Sequence, residues 1–266
     1  MPKDVIDRIN PFGDFQLKGS FTGFLSDFVA KANFKTRIGE IESNLNFKVK
    51  NGQVLKSSYR GNLRLKDFKA GEYIKDTTLI QNISMSGSIN GSGLTREFAD
   101  FVLDGNFDEL KLKGYSYKGI SSKARFAREL FIGQLSVKDP NARLRLDGSI
   151  DLRNNRNQIR LSGRIDTLAV QVLGLSEEPI ALQTEIKVTT TGLTLDDLAG
   201  QLLFRKFRLL RQGSTLNTDS VHILAIRQPN SRRLIIGSDL ATLEAHGNFR
   251  FDNLFTDLNA YSRSIC

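Results

Sequence analysis

The sequence predicts an all-β protein, a long and mostly antiparallel meandering sheet, and three observations support this fold class. A five-residue motif of apolar, spacer, glycine, spacer and apolar residues recurs along the chain. No window longer than about a dozen residues keeps the 3.6-residue period of an amphipathic helix. The segments between apolar runs are short and rich in residues that favour tight turns.

The glycine motif sets the phase of the predicted strands. Its apolar, glycine and apolar positions alternate with polar spacers, and alternate residues of a strand point to the same face of a sheet. One face is therefore predicted to be apolar and the other solvated, as in antiparallel sheets covered on one side only. The motif occurs at 17–21, 59–63, 85–89, 103–107, 131–135, 146–150, 161–165, 198–202 and 245–249.

Alternation and turn signals together place fifteen strands, joined mostly by connections too short for a parallel crossover. Turns are predicted at Asn51-Gly52, Asp139-Pro140-Asn141, Asn154-Asn155 and Pro229-Asn230-Ser231. The predicted strands are 12–23, 30–38, 40–50, 53–68, 78–91, 100–112, 115–127, 130–138, 142–152, 157–168, 180–191, 200–211, 214–228, 232–240 and 242–252.

A second, weaker repeat starts near residues 23, 93 and 192. Each copy has a glycine, an apolar residue, acidic or hydroxyl residues suited to a helix start, and an apolar-Ala step into the next strand. These segments and 168–175 are predicted as one-turn helices. The repeats favour one continuous unit over residues 1–266, in which each part contacts mainly its neighbours.

Composition limits the possible partners and compartments. The net charge of +9 permits binding to acidic surfaces, but the basic residues are dispersed; even the densest groups, 205–208 with Arg211 and Arg232-Arg233, are expected to be solvated strand faces. Cys266 is the single cysteine, which excludes an intrachain disulfide and a thiolate metal site. The chain contains neither an 18-residue apolar run nor a signal peptide, and we expect it to be an internal segment of a longer protein.

Enzyme chemistry is not expected. The two histidines, His222 and His246, lie on polar strand phases without metal-ligand spacing, and Asp196-Asp197 is better explained as an acidic helix start. The glycine-rich segment 87–93 falls within a predicted strand and lacks the lysine and helix of a phosphate loop. No cofactor or metal is predicted. Nucleic-acid binding is disfavoured as well, because the aromatic residues occupy the apolar phase instead of an exposed stacking platform.

Several of these features, in their order along the chain, resemble the AsmA superfamily. They are the Gly-x-[Ile/Leu/Phe] strands, the link from Gly192-Leu193 to Gly200, and the segments 115–120 and 139–144. Within the superfamily the chain is most similar to the periplasmic part of TamB-type translocation and assembly proteins of Bacteroidota, over roughly residues 12 to 252.

The resemblance implies a periplasmic sheet curled into an open U-shaped groove, a β-taco, within a protein anchored in the inner membrane. Such a groove is expected to conduct phospholipid acyl chains between the inner and outer membranes and to support outer-membrane biogenesis. The inner-membrane anchor and the contact with an outer-membrane barrel protein would lie in parts absent from this sequence. The alternative is a structural or chaperone-like β module with a closed dry core that assists assembly or secretion of barrel proteins.

The candidate lining of the groove consists of apolar residues in phase with the glycine motifs. For each of them, packing between two sheet layers is the alternative to lipid contact. The glycines themselves either widen the groove or relieve the curvature of the sheet. The candidate lining residues are Phe34, Phe47, Leu63, Leu65, Phe107, Phe126, Phe131, Leu135, Val137, Leu144, Leu146, Ile150, Ile159, Leu161, Ile165, Ile180, Leu182, Ile186, Val188, Phe204 and Phe249.

Overall fold

The structure, a computed structural model, describes residues 12–50, 52–74, 77–78, 80–95, 97–153, 157–192, 197–228 and 231–248. These residues form one antiparallel sheet of sixteen strands. The strands are β1 (Gln16–Phe24), β2 (Asp27–Thr36), β3 (Gly39–Lys48), β4 (Ser58–Phe68), β5 (Ile80–Ser92), β6 (Asp100–Leu112), β7 (Tyr115–Tyr117), β8 (Ile120–Ala127), β9 (Leu130–Lys138), β10 (Ala142–Asp151), β11 (Gln158–Ala169), β12 (Ile180–Thr191), β13 (Ala199–Arg211), β14 (Ser214–Gln228), β15 (Ser231–Ser238) and β16 (Thr242–Gly247). A 3-10 turn at Val54–Lys56 and the short helix α1 (Ala70–Ile74) are the helical elements among them.

The strand order confirms the predicted meander. Each strand pairs with the next one along the chain, except that the short β7 pairs only with β6, and β8 takes the following place beside β6. Within the described part of the chain, β1 and β16 are the two edges and do not pair with each other, and no second sheet is present. The sheet is therefore open.

The register keeps the glycine motifs of successive strands in phase. Leu146 of β10 lies opposite Leu135 of β9 on one side and Gly163 of β11 on the other. Leu161 in turn lies opposite Val188 of β12. Because directly opposed residues share a face, the apolar positions of neighbouring strands join into one surface. That surface runs from Leu17 of β1 to strand β16.

Two glycines show why the motif needs this residue. A Cβ at Gly163 would lie 2.0 Å from the carbonyl oxygen of Arg145 in the neighbouring strand. At Gly61, where φ is +154°, it would lie 2.0 Å from the carbonyl oxygen of Asn44. Any larger residue would force the strands apart. At these positions the glycines thus permit close approach of backbones, which favours the curvature interpretation over a widened lining.

The connection between β11 and β12 folds back over one margin of the apolar face. Its residue Leu173 is fully buried and packs in a cluster with Ile120, Val137 and Ala142. One helical turn shapes this connection, since the Leu173 amide donates to the Ala169 carbonyl at 3.1 Å. The same margin carries α1, which contacts β5. The fold therefore builds its own cover along this margin.

A buried carboxylate fixes the turn between β9 and β10. Asp139 is 2% exposed and accepts hydrogen bonds from the Tyr115 hydroxyl at 2.6 Å and from the backbone amides of Lys118 at 3.0 Å and Asn141 at 2.9 Å. Burial raises the pKa of Asp139, but the hydrogen bonds from Tyr115 and from backbone amides outweigh it, so the pKa lies below its ordinary value. The ionised Asp139 carboxylate thus joins β7 to the turn between β9 and β10.

Most predicted strands match an observed one, and the differences have local causes. The predicted strand 115–127 is interrupted by Gly119, whose φ of +62° turns the chain and separates β7 from β8. The strand predicted at 53–68 starts only at Ser58, because Val54–Lys56 forms a 3-10 turn. The predicted strand 242–252 is observed as Thr242–Gly247, and residues 249–252 lie outside the described residues.

The prediction of one-turn helices is wrong at the first repeat. Residues 23–30 form the end of β1, a two-residue turn at Leu25-Ser26 and the start of β2, because the Phe24–Asp27 pair closes a tight hairpin. In the second repeat the amides of Phe98 and Ala99 donate to the Thr95 carbonyl, which is a single turn. In the third, residues 193–196 lie outside the described residues. Helix α1 was not predicted.

Candidate functional site: the apolar face of the sheet

The predicted lining residues lie on one face of the sheet. The strand pairings place all of them there except Phe249, which lies outside the described residues. Residues of the same phase that were left out of the prediction extend this face to both edges. They are Leu17, Phe21, Phe28, Ile41, Leu45, Tyr59, Met85, Ile89, Phe101, Leu103, Ile120, Leu202, Val221, Ile223, Ala225, Leu234, Ile236, Leu243 and Ala245. The period-two pattern would have found them if it had been extended along each strand.

Part of the apolar face is a line of aromatic rings that crosses the strands. In β2 to β4, the centroids of Phe28 and Phe47 are 5.4 Å apart and those of Phe47 and Tyr59 are 6.1 Å apart. In β6 to β9, Phe126 lies 5.4 Å from Phe101 and 4.7 Å from Phe131. These separations fall in the range of favourable aromatic pairs. The rings contact one another in stacked, tilted and T-shaped arrangements within one layer.

The burial of the apolar face is uneven. Along the covered margin, Met85 and Ile120 are each 4% exposed and Val137 is 6% exposed. Away from it, Leu135 is 36% exposed and Phe131 42% exposed, although both sit in the interior of the sheet and not at its edge. Apolar side chains with this exposure in a central strand mark a surface that the described residues do not cover.

The opposite face is polar and carries cross-strand ion pairs. Lys66 contacts Glu40 and Glu42, and Lys206 Nζ lies 2.7 Å from Glu185 Oε1. Both partners of each pair retain solvent contact, so each pair contributes little stability. The predicted solvated face is confirmed.

Hydrogen bonds across this polar face also shift the pKa values of carboxyl groups. Arg125 donates to both carboxylate oxygens of Asp100, at 2.9 and 2.8 Å, and these hydrogen bonds hold the pKa of Asp100 below its ordinary value. His222 and His246 are exposed here, as predicted. His222 Nε2 lies 3.2 Å from the Ser220 hydroxyl.

The described residues contain no group of three or more His, Cys, Asp or Glu side chains placed to hold a metal ion. A concavity of about 840 Å³ lies on the polar face of β1 to β6, among Lys18, Lys31, Asn44, Asn62 and Ser88. In the part of the chain that is described, no helix has the length and apolar character needed to cross a membrane.

Comparison of the chain with protein-family models, curated proteins and solved structures gave no match.

Proposed function

We propose that this chain is a segment of a periplasmic lipid-transfer protein whose sheet curls into an open U-shaped groove. The groove holds phospholipid acyl chains and lets them pass between the inner and outer membranes, in support of outer-membrane biogenesis. The observation that carries the proposal is the continuous apolar face from β1 to β16, with partly exposed Phe131 and Leu135 in the central strand β9 and no second sheet in the described region.

The curvature of the groove is supported by the glycines and by the covered margin. Close approach of the neighbouring backbones at Gly61 and Gly163 allows the sheet to bend strongly at these positions. The β11–β12 connection with Leu173 then serves as a rim on one side.

The energetics suit capture followed by movement. An acyl chain of about sixteen carbons gains on the order of 10 kcal/mol when its methylenes leave water. Transfer from a bilayer into an apolar groove changes little free energy, because the chain exchanges one apolar medium for another. The apolar face repeats the same motif from strand to strand, so no position is a deep trap. An acyl chain can therefore slide along it.

In this proposal, contacts with the inner membrane and with an outer-membrane barrel protein belong to parts of the protein outside this sequence, and the segment performs no catalysis. The competing function is a structural or chaperone-like module for barrel proteins with a closed dry core. Against the closed core stand the two unpaired edges of the described sheet and the exposure of Phe131.

Lipid extraction followed by mass spectrometry tests the proposal. The purified chain is expected to carry phospholipid. Leu146→Arg places a charge in the middle of the apolar face and is expected to remove most of the bound lipid, whereas Ser162→Arg places the same charge on the polar face of the adjacent strand and leaves the lipid in place. Circular dichroism controls for an intact sheet. Lipid-free wild-type protein, or equal lipid in both variants, would refute the groove.

A further inference from the structure

Four basic side chains from three adjacent strands meet on the polar face, opposite the proposed lipid surface. They are Lys138 of β9, Arg143 and Arg145 of β10, and Arg164 of β11, which we call the basic cluster. They line a concavity of about 470 Å³ that also contains the side chains of Ser136 and Asp166. All four cations are exposed.

The register sets like charges against each other within the basic cluster. Arg143 lies directly opposite Lys138, and Arg145 lies directly opposite Arg164. Directly opposed like charges destabilise an antiparallel pair. Elsewhere on this face the register does the reverse: Glu40 lies opposite Lys66, and Asp104 lies opposite Lys123. The two like-charged pairs therefore differ from these pairings, although on its other side Arg164 lies opposite Glu185 of β12.

The carboxylates nearby form an ion pair with only one of the four cations. Asp166 accepts a hydrogen bond from Arg164 Nε at 2.6 Å. Lys138, Arg143 and Arg145 have no ion pair within the described residues. A second concavity on this face shares Arg145 and Arg164 with the first and also contains Asp147 and Glu185. Glu185 forms an ion pair with Lys206 at 2.7 Å, and Asp147 has no ion pair to the cluster. Among the described residues, three of the four cations thus make no ion pair, although Asp166 lies in the same concavity.

We propose that the basic cluster binds a phosphate group. An arginine guanidinium presents paired N–H donors that match two phosphate oxygens, and Arg143 and Arg145 supply two such forks on one face of one strand. Lys138 adds a third charge, and the Ser136 hydroxyl in the same concavity can donate a hydrogen bond. The bound phosphate supplies the charge that the two like-charged pairs lack. The phosphate belongs either to the headgroup of an anionic phospholipid at a membrane surface or to a soluble phosphate compound.

This proposal does not depend on acyl-chain binding, because the basic cluster and the apolar side chains project from opposite faces of the sheet. The test compares two double variants that each remove two positive charges. Arg143→Gln with Arg145→Gln dismantles the cluster. Arg60→Gln with Arg160→Gln removes two exposed arginines of the same face that lie in β4 and β11 outside the cluster.

Binding is measured with two probes on the full chain. The first is inorganic phosphate, by isothermal titration calorimetry. The second is vesicle flotation with phosphatidylglycerol vesicles, with phosphatidylcholine vesicles as the uncharged reference. Loss of two charged hydrogen-bond donors is expected to weaken phosphate binding by at least about tenfold in the cluster variant. The Arg60/Arg160 control should change it by less than about twofold.

Weakened binding of both probes in the cluster variant alone supports the proposal and identifies the lipid headgroup as the source. Weakened binding of inorganic phosphate without vesicle binding supports it with a soluble source. Equal weakening in both double variants would show a general charge effect and overturn the proposal, as would wild-type protein that binds neither probe. Removal of the like-charged pairs should also raise the melting temperature of the cluster variant above that of the control, which guards against a loss of binding through unfolding.

Discussion

Replacement of Gly163 by alanine tests whether the glycine motif exists for close approach of strands. The added Cβ would lie 2.0 Å from the Arg145 carbonyl oxygen and 2.9 Å from the Leu146 Cα. Ordinary van der Waals contact requires the strands to move apart by more than ~1 Å, beyond the range of the ladder hydrogen bonds beside it. Overpacking costs about 1–3 kcal/mol and each weakened hydrogen bond about 1 kcal/mol, so the expected loss is roughly 2–4 kcal/mol.

Gly237 provides the matched control. It also lies within a strand and has no left-handed φ, but its nearest neighbour to an added Cβ is the Thr242 Oγ1 atom at 3.8 Å. Gly237→Ala should therefore be neutral or stabilise by about 0.4–1 kcal/mol through the unfolded chain. In urea denaturation, Gly163→Ala is expected to lower the midpoint by roughly 1–2 M. Identical midpoints for the two variants would refute the close-approach explanation.

Two further changes address the parts of the fold that lie at the covered margin of the apolar face and in the turn between β9 and β10. Leu173→Ala removes a fully buried side chain from the covered margin and should lower the free energy of unfolding by about 2–5 kcal/mol. Leu175→Ala, at a side chain that is 49% exposed, should lower it by less than about 0.5 kcal/mol. Equal losses of stability in thermal denaturation would show that Leu173 does not hold the covered margin together. Asp139→Asn should cost about 1–3 kcal/mol at pH 7, because the hydrogen bond from Tyr115 weakens. Since the folded-state pKa of Asp139 is lowered, the ionised carboxylate stabilises the fold above the unfolded-state pKa of about 4, and this stabilisation is lost as the pH falls through the folded-state pKa. The stabilities of wild type and variant should therefore converge in acid. A difference that stays constant with pH would argue against an ionised Asp139.

Much of the sheet was predictable because one local signal, the two-residue alternation, decides both strand position and strand face. In β10 and β11, where Leu146 and Leu161 belong to glycine motifs, the predicted strands match the observed ones within about two residues. Short turns then determined the order of pairing, since a chain with no room for crossovers forms a meander. The membership of the apolar face followed from the phase alone.

Features that depend on register or on contacts between distant segments were not predictable. The basic cluster combines Lys138, Arg145 and Arg164 from three strands, and no run in the sequence brings them together. The pairing of Arg145 with Arg164 appears only once the strands are aligned. The burial of Leu173 likewise depends on a connection that folds back over Val137, whereas its local sequence predicted only a helical turn.

If the apolar face binds acyl chains and the polar face does not, two neighbouring positions of β9 should differ in their contact with lipid. Phe131 and Ile132 are neighbours with large apolar side chains, 42% and 50% exposed, but Phe131 lies on the apolar face opposite Phe126 and Ile132 lies on the polar face opposite Arg125. A photo-crosslinking benzoylphenylalanine is placed at each position in turn, and phospholipid adducts are quantified by mass spectrometry in cells that produce the protein. Phospholipid adducts are expected at position 131 and none above background at position 132. Equal yields at the two positions, or no adduct at 131, would contradict this expectation.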